Sequence, residues 1–394
     1  METINKNILL IELDDKYLKI TAGFQDDEFN FKIIATEVIS TNNFENGQIK
    51  DLERSVIDLK SGLGIIEKKL NTIFTEAYVI TNQKNFDCIN VSGLKKMNGN
   101  QILEDDISFI LNDLKAKINS SEKDKTIIHL FNTKFILDNN VIKNLPIGLY
   151  GNFYSHQLTF FLIKNDYIKI IKKLLNKSNL NLKRIILKSF SDGTSLVDNS
   201  NSGSFIKIYM GRKNSHLISF YNSAYSYFQN FNFGTDLIYS DVAKVCSLET
   251  DEVKKFFQNI CFDNIKNKKN LYIDEKFFKN DFKKISFEFV EKVISSRINE
   301  LISIIFNKNI HLKNLENKDL QIYLNLEDTN IKLSLGLTFQ NYFKNKIDFM
   351  NFDKQKNSTQ VSGELLTKGW PNEAIPVVQK KTSVISRFFS IFFD

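Results

Sequence analysis

Two distant stretches of the chain carry the same succession of elements, and a repeat of a whole element order limits the architecture before composition is considered. The first opens on an apolar strand, Ile8–Leu13 (ILLIEL), turns at Asp14-Asp15-Lys16 and returns over Tyr17–Ala22. A third strand covers Phe29–Ile39. Leu52, Val56, Leu59, Leu63, Ile66 and Leu70 then fall on one face of a helix over Asp51–Ile73, and Ala77–Thr81 is a short strand after it. The second stretch begins with the apolar strand Phe205–Met210 and Gly211. A polar turn (Arg212–Ser215), a second run (His216–Tyr221), an aromatic-rich strand ending at Gly234 and a helix from Asp236 follow. Strand, glycine, polar turn, strand is a shape that lets backbone N–H groups approach an anion closely. Phe205–Asp241 is therefore the first candidate for a phosphate cradle.

Between the repeats lies a small α+β block. Phe86–Val91 is a strand ending at Ser92-Gly93, and Glu104-Asp105-Asp106 opens a helix to Ala116 with acids at its positive end. Thr126–Phe131 and Thr133–Leu137 read as a pair of strands, Pro146–Gly151 (PIGLYG) as a tight turn and Tyr154–Ile163 as a further strand. A helix (Asp166–Leu175) and a strand (Leu182–Leu187) return the chain to the first repeat. The polar break Asp198–Gly203 separates the halves. Helices dominate Leu248–Phe306, the last with Val290, Val293, Ile294, Ile298, Leu301, Ile302 and Ile305 on one face. Leu320–Leu326 and Ile331–Leu335 read as a closing strand pair. From Phe352 the composition turns polar and small, which predicts a linker over 351–379.

Composition bounds the function more than it identifies it. A net charge of +7 fits an anionic partner or simply a lysine-rich proteome, since the lysines are spread along the chain rather than gathered in one block; no nucleic-acid partner is expected. Cys88, Cys246 and Cys261 are far apart and odd in number, which excludes a disulfide framework or a zinc spacing and fits a reducing compartment. His129, His156, His216 and His311 have no ligand spacing, no Ser/His/Asp or Cys/His set is visible, and no metal ligands are assigned. No run of 18 apolar residues exists to span a bilayer, and the N-terminus enters a strand without a signal-peptide core. The last residues, KKTSVISRFFSIFFD, are sharper. On a helix, Val384, Ile385, Phe388, Phe389, Ile391, Phe392 and Phe393 cover one broad face, with Lys380, Lys381 and Arg387 opposite or at the ends. Such a segment suits the membrane interface, where each buried Phe or Ile contributes about 1.5–3 kcal/mol. Docking on the protein's own core is the alternative.

In order and spacing these features resemble the bacterial FtsA family of the actin superfamily. Asn90-Val91-Ser92-Gly93 with Glu104-Asp105-Asp106 is similar to the start of the FtsA-specific subdomain 1C. His129 through Asp138 to PIGLYG is similar to a histidine, aspartate and N-P-x-G-M-x-G series. Ser295–Ile305 looks like an R-x-x-E-L helix, and the tail resembles a membrane-targeting helix. The resemblance implies an α/β, actin/ribonuclease-H-like two-domain fold of repeated βββαβα units with a C-terminal amphipathic helix. Its parts would be 1A (1–83 plus 165–200), an SHS2-like 1C insert (84–164), 2A (203–236 plus 307–350), 2B (237–306), the linker (351–379) and the helix (380–394).

The motifs that hold ATP and Mg in actin-type ATPases are altered here. Where the family has D-I-G-T-S, this chain has Glu12-Leu13-Asp14-Asp15-Lys16, with two extra acids that would repel phosphate and Glu12 alternatively a solvated turn residue. The D-I-G-G-G-T-T hairpin is Tyr209-Met210-Gly211-Arg212-Lys213-Asn214-Ser215, so Tyr209 stands where the metal-holding acid would be. The adenosine-side motif keeps Gly234, Asp236 and Ile238, and the last glycine cluster is Asn325-Leu326-Glu327-Asp328-Thr329. Gly211, Ser215, Gly234, Asp236, Arg297 and Glu300 are the residues a vestigial nucleotide site would use, and no catalytic residue is assigned. The resemblance implies an adaptor at the cytoplasmic side of the inner membrane at the division site. It would bind FtsZ through 2B, itself through 1C, other divisome proteins, and lipid through Val384, Ile385, Arg387, Phe388, Phe389, Ile391, Phe392 and Phe393. A functional ATP-binding actin-type filament protein, or a pilus or secretion-type scaffold, are the alternatives.

Overall fold

The computed structural model describes residues 7–197, 203–265, 270–279, 282–313, 321–342, 347–349, 357–370 and 373–374. These form two compact units. One holds the described residues up to 203 with 220–227 and those from 357 onward; the other holds 204–219 and 228–349.

The first unit opens with strands β1 (Ile8–Leu13), β2 (Tyr17–Gln25) and β3 (Phe31–Ser40), then a short hairpin of β4 (Phe44–Glu45) and β5 (Gln48–Ile49). Helix α1 (Leu52–Leu70) and strand β6 (Glu76–Thr81) follow. Asp51 caps α1, its carboxylate accepting the Arg54 N–H at 3.0 Å, and Val56, Leu59, Leu63 and Ile66 are its buried face. Within the insert come β7 (Asp87–Lys96), α2 (Glu104–Ser121), β8 (Lys125–Leu137), β9 (Asn140–Ile142) and β10 (Phe153–Lys164), in a sheet ordered β7-β10-β8-β9. Ile107, Ile110, Leu111, Leu114 and Ile118 of α2 cover that sheet. Helix α3 (Asn165–Asn176), strand β11 (Asn181–Leu187) and helix α4 (Lys188–Val197) rejoin the first sheet, whose order is β11-β6-β1-β2-β3. β1 lies in the middle, antiparallel to β2 and parallel to β6, and a strand covered on both faces is a near-continuous apolar run, as ILLIEL is apart from Glu12. The two strands expected at Thr126–Phe131 and Thr133–Leu137 are one. The register against β10 slips at Thr133, whose hydroxyl donates to Gln157 O at 2.9 Å, so the polar pair Asn132-Thr133 marks a bulge instead of a turn.

The order recurs from Phe205 onward, in a second sheet whose residues 220–227 count with the first unit. Strands β12 (Phe205–Met210), β13 (Ser215–Tyr221) and β14 (Ala224–Phe231) lead to helices α5 (Asp236–Cys246), α6 (Thr250–Asn259), α7 (Phe287–Ile302) and the one-turn α8 (Ile310–Lys313). Strand β15 (Gln321–Leu326), helix α9 (Thr329–Tyr342) and strand β16 (Ile347–Phe349) complete it. The sheet runs β14-β13-β12-β15-β16, again third, second, first, fourth, fifth. β12 is parallel to β15, and β15 to β16. Ile331–Leu335, expected as a strand, lies inside α9. Asp328 decides this, accepting the N–H groups of Asn330 (3.0 Å) and Ile331 (3.2 Å) and so starting a helix.

The expected linker over 351–379 contains a packed helix, α10 (Ser358–Lys368), in the first unit. Asn357 caps it by accepting the Thr359 N–H at 3.1 Å, and Thr359, Val361, Ser362, Gly363 and Leu365 are buried. Small residues do the packing, which is why the segment reads as a linker in sequence. A Cβ on Gly363 would lie 2.0 Å from the ring of Phe31, itself 2% exposed and touching Gly23 on another side. Gly363→Ala should therefore cost about 1–3 kcal/mol through overpacking, read by urea unfolding; an unchanged midpoint would show that α10 is not seated on β3.

Candidate functional site

The sequence directs attention to two strand-end turns, one in each unit. In the first unit, Glu12 near the end of β1 is fully buried, not a solvated turn residue. Lys188, the first residue of α4, donates from its ammonium to Glu12 and also to the Tyr17 hydroxyl at 3.1 Å. Tyr17 donates to Glu12 Oε1 at 3.0 Å, and the Ser358 hydroxyl of α10 lies 2.9 Å from Oε2 and 3.0 Å from Oε1. Thr359 Oγ1 sits 3.4 Å from Oε2. Burial pushes the Glu12 carboxyl up, but the Lys188 charge and hydrogen bonds outweigh it and hold the pKa below the usual carboxylate value. Burial likewise opposes the charge on Lys188, and Glu12 overcomes it. The Tyr17 phenol is pushed up to about 12, by burial and then by the Glu12 charge. The two extra acids build the turn. Asp14 accepts the Lys16 N–H at 3.3 Å, and Asp15 accepts the Gly47 N–H at 3.0 Å.

In the second unit the β12–β13 turn brings together Gly211, Ser215, Gly234 and Asp236. The Gly211 N–H donates to Asn214 O (3.0 Å), and Gly211 O accepts the Thr235 N–H (3.0 Å). Arg212 O accepts the Asp236 N–H (2.9 Å). A Cβ on Gly234 would stand 2.2 Å from Gly211 O, so this glycine allows two backbone segments to touch. The Arg212 N–H faces Glu327 Oε2 at 3.3 Å, and its guanidinium faces Asp236 Oδ1 at 3.3 Å. Ser215 donates to Phe233 O at 2.7 Å. Hence the Gly211 and Arg212 N–H groups and the Ser215 hydroxyl are spent within the protein. Tyr209 stacks on His216, ring centroids 4.8 Å apart. Tyr239 donates to Asp328 at 3.2 Å, and burial followed by the Asp328 charge raises its pKa.

Arg297 and Glu300 are not part of that turn. Arg297, on α7, pairs with Asp241 of α5 and with Glu300 at 2.7 Å, clamping the two helices. Asp241 chiefly raises the Arg297 pKa. Val384, Ile385, Arg387, Phe388, Phe389, Ile391, Phe392 and Phe393 lie outside the described residues. Among the described residues no group of three His, Cys, Asp or Glu could hold a metal ion, and no helix is long and apolar enough to cross a membrane.

Sequence reasoning missed Lys188, Ser358 and Thr359, together with a second buried cluster in the same unit. There the Glu373 carboxylate lies 2.5 Å from His129 Nδ1 and pairs with Arg184. A lysine directly after the apolar strand RIIL was the one local signal for Lys188.

Residues 84–155 match the family described as the SHS2 domain inserted in FtsA. Among curated proteins the chain is similar to cell division protein FtsA of Buchnera aphidicola, 21% identical over 287 residues, 72% of this chain and 68% of the relative. Among solved structures it superposes on a chain of the PilM–PilN type IV pilus biogenesis complex with a TM-score of 0.51 at 10% identity, covering 91% and 94% of the two chains. The repeated strand order and the inserted sheet define an actin-like fold with an SHS2 insert. Its insert matches the FtsA-type domain, and the curated relative it resembles over 72% of its length is a cell division protein FtsA.

Proposed function

We propose that the chain is a cell-division adaptor that tethers FtsZ filaments to the cytoplasmic face of the inner membrane and helps assemble the division ring. The observation that carries this is the FtsA-type insert at 84–155, supported by the relative named cell division protein FtsA. On this reading 237–306 binds FtsZ, the insert carries self-association, and other divisome proteins join at the division site. The phenylalanines of the tail enter lipid while Lys380, Lys381 and Arg387 meet anionic headgroups. Nucleotide hydrolysis is weak or lost, which the internally used N–H donors at Gly211 and Arg212 support. Binding surfaces, not turnover, then do the work.

Sedimentation with anionic vesicles tests the tether. The full chain should pellet with vesicles and carry FtsZ polymers with it. Deleting Ser383–Asp394, or replacing Phe388 or Phe392 by Glu, should lower the bound fraction by about tenfold or more. Equal pelleting of the full chain and the deletion would end the anchor assignment. FtsZ that stays in the supernatant beside vesicle-bound protein would end the adaptor one.

A further inference from the structure

The family implies ATP and Mg at the end of β1, and the residues there do not fit them. A divalent cation needs several oxygen ligands with free lone pairs. Both oxygens of Glu12 are already engaged, Oε1 by Tyr17, Lys188 and Ser358, and Oε2 by Ser358 and Thr359. Asp14, the other nearby carboxylate, lies 3.5 Å from the same ammonium and receives the Lys16 N–H. A phosphate would need N–H donors, yet the Asp14 N–H is bound to Tyr17 O at 3.0 Å. Two carboxylates would face whatever phosphate approached.

We propose that Lys188 is a built-in counter-ion: its ammonium permanently supplies the positive charge at the end of β1 that an actin-type protein takes from a metal–nucleotide complex. Helix α10 is the strut that holds this state. An isolated buried carboxylate is strongly disfavoured, so Glu12 requires a cation. The requirement is met by a group tethered to the chain, which can neither dissociate nor hydrolyse. Lys19 adds to the same field, its ammonium donating to Asn357 Oδ1 at 2.7 Å at the start of α10. The three partners, Lys188, Tyr17 and Ser358, arrive from the start of α4, from β2 and from α10, so the first unit closes on itself at the place where a ligand would otherwise join its elements. The first unit thus keeps one state whatever the nucleotide supply. This goes beyond the adaptor reading and does not depend on it, since it concerns the unit's own stability and no FtsZ or lipid contact.

Thermal unfolding of the full chain tests it with MgATP as the probe. The midpoint should move by less than about 1 °C between no ligand and about 5 mM MgATP. Lys188→Ala should lower the midpoint by about 5–10 °C, because it strands a buried carboxylate. The double variant Glu12→Gln/Lys188→Met removes both charges and should recover more than half of that loss. Three results would overturn the proposal: a saturable MgATP-dependent rise of several degrees in the natural protein, a Lys188→Ala midpoint equal to that of the natural protein, or a double variant as unstable as the single one. If Lys188→Ala does not fold, soluble yield replaces the midpoint. A soluble double variant then supports the pairing, and an equally insoluble one refutes it. None of these readouts involves FtsZ or membranes, so failure here is separable from failure of the tether.

Discussion

Glu373→Ala should destabilise the first unit by about 3 kcal/mol, the low end for removing one member of a buried ion pair, and lower its melting midpoint by about 6–12 °C. The Glu373 side chain is 1% exposed, held between His129 and Arg184. The backbone N–H of Leu187 donates to His129 Nε2 at 3.1 Å, so the proton of the neutral ring sits on Nδ1 and points at the carboxylate. Arg184 supplies the charge. Burial opposes ionisation of Glu373, but Arg184 and then His129 outweigh it and keep the carboxyl below its ordinary value. Removing the carboxylate leaves the guanidinium, 14% exposed, and an imidazole N–H without their acceptor. The loss is placed at the low end because Arg184 keeps that access to water. Glu373→Gln retains an acceptor oxygen and should cost less. The consequence reaches beyond one pair. Ala374 N–H donates to Leu130 O at 2.8 Å and Glu373 bridges Phe131, so the segment lies against β8 of the insert. Loss of Glu373 should therefore also raise amide exchange in β8. A destabilisation below about 1 kcal/mol, with β8 exchange unchanged, would show that the carboxylate does not hold the segment.

Architecture was legible wherever burial imposes a period or a run. ILLIEL and FIKIYM begin the two sheets, and α1 and α7 lie where their apolar faces put them. Misreadings came where one polar residue decides between elements. Asn132 looks like turn material, but its side-chain oxygen sits 2.9 Å from His156 Nε2 inside the insert, so the strand continues through it. Asp328 caps a helix where Ile331 and Leu335 suggested a strand. Ser362 and Gly363 read as linker because a small residue packed against a ring leaves no hydrophobic signal; Ser362 in fact shares a 2.7 Å hydrogen bond with Ser191. The site was legible by half. Gly211 and Gly234 stood out, but their need is a mutual backbone approach. Glu12 stood out as an acid, whereas its partners Lys188 and Ser358 lie 176 and 346 residues away in sequence, a distance that no local pattern encodes.

Acidification from pH 7 to pH 5 should cost the first unit about 2 kcal/mol through His156 alone, with His129 adding in the same direction. His156 is fully buried, and desolvation pushes its pKa down from 6.5 to about 3. Its Nε2 donates to Asn132 Oδ1, and Nδ1 has no hydrogen-bond partner, so nothing nearby would stabilise a second proton. His129 is lowered as well, first by burial; Glu373 opposes this, but protonating Nε2 would also break the bond from Leu187. The sign follows from proton counting. Below pH 6.5 the unfolded chain takes up protons that the folded ring refuses, so stability is fully present above 6.5. It declines as the pH falls, and for His156 the decline levels off near 3. The carboxyls of Glu12 and Glu373, also held low, titrate in the unfolded chain only near 4.5, so they add their loss below that value. Urea unfolding at pH 7.5, 6.5, 5.5 and 5.0 isolates the histidines, and His156→Leu should remove most of the slope while leaving the Phe135 and Tyr154 contacts an apolar partner. An unfolding free energy that stays level from 6.5 to 5.0 would mean that His156 takes up a proton in the folded protein and that the insert's interior admits water to it.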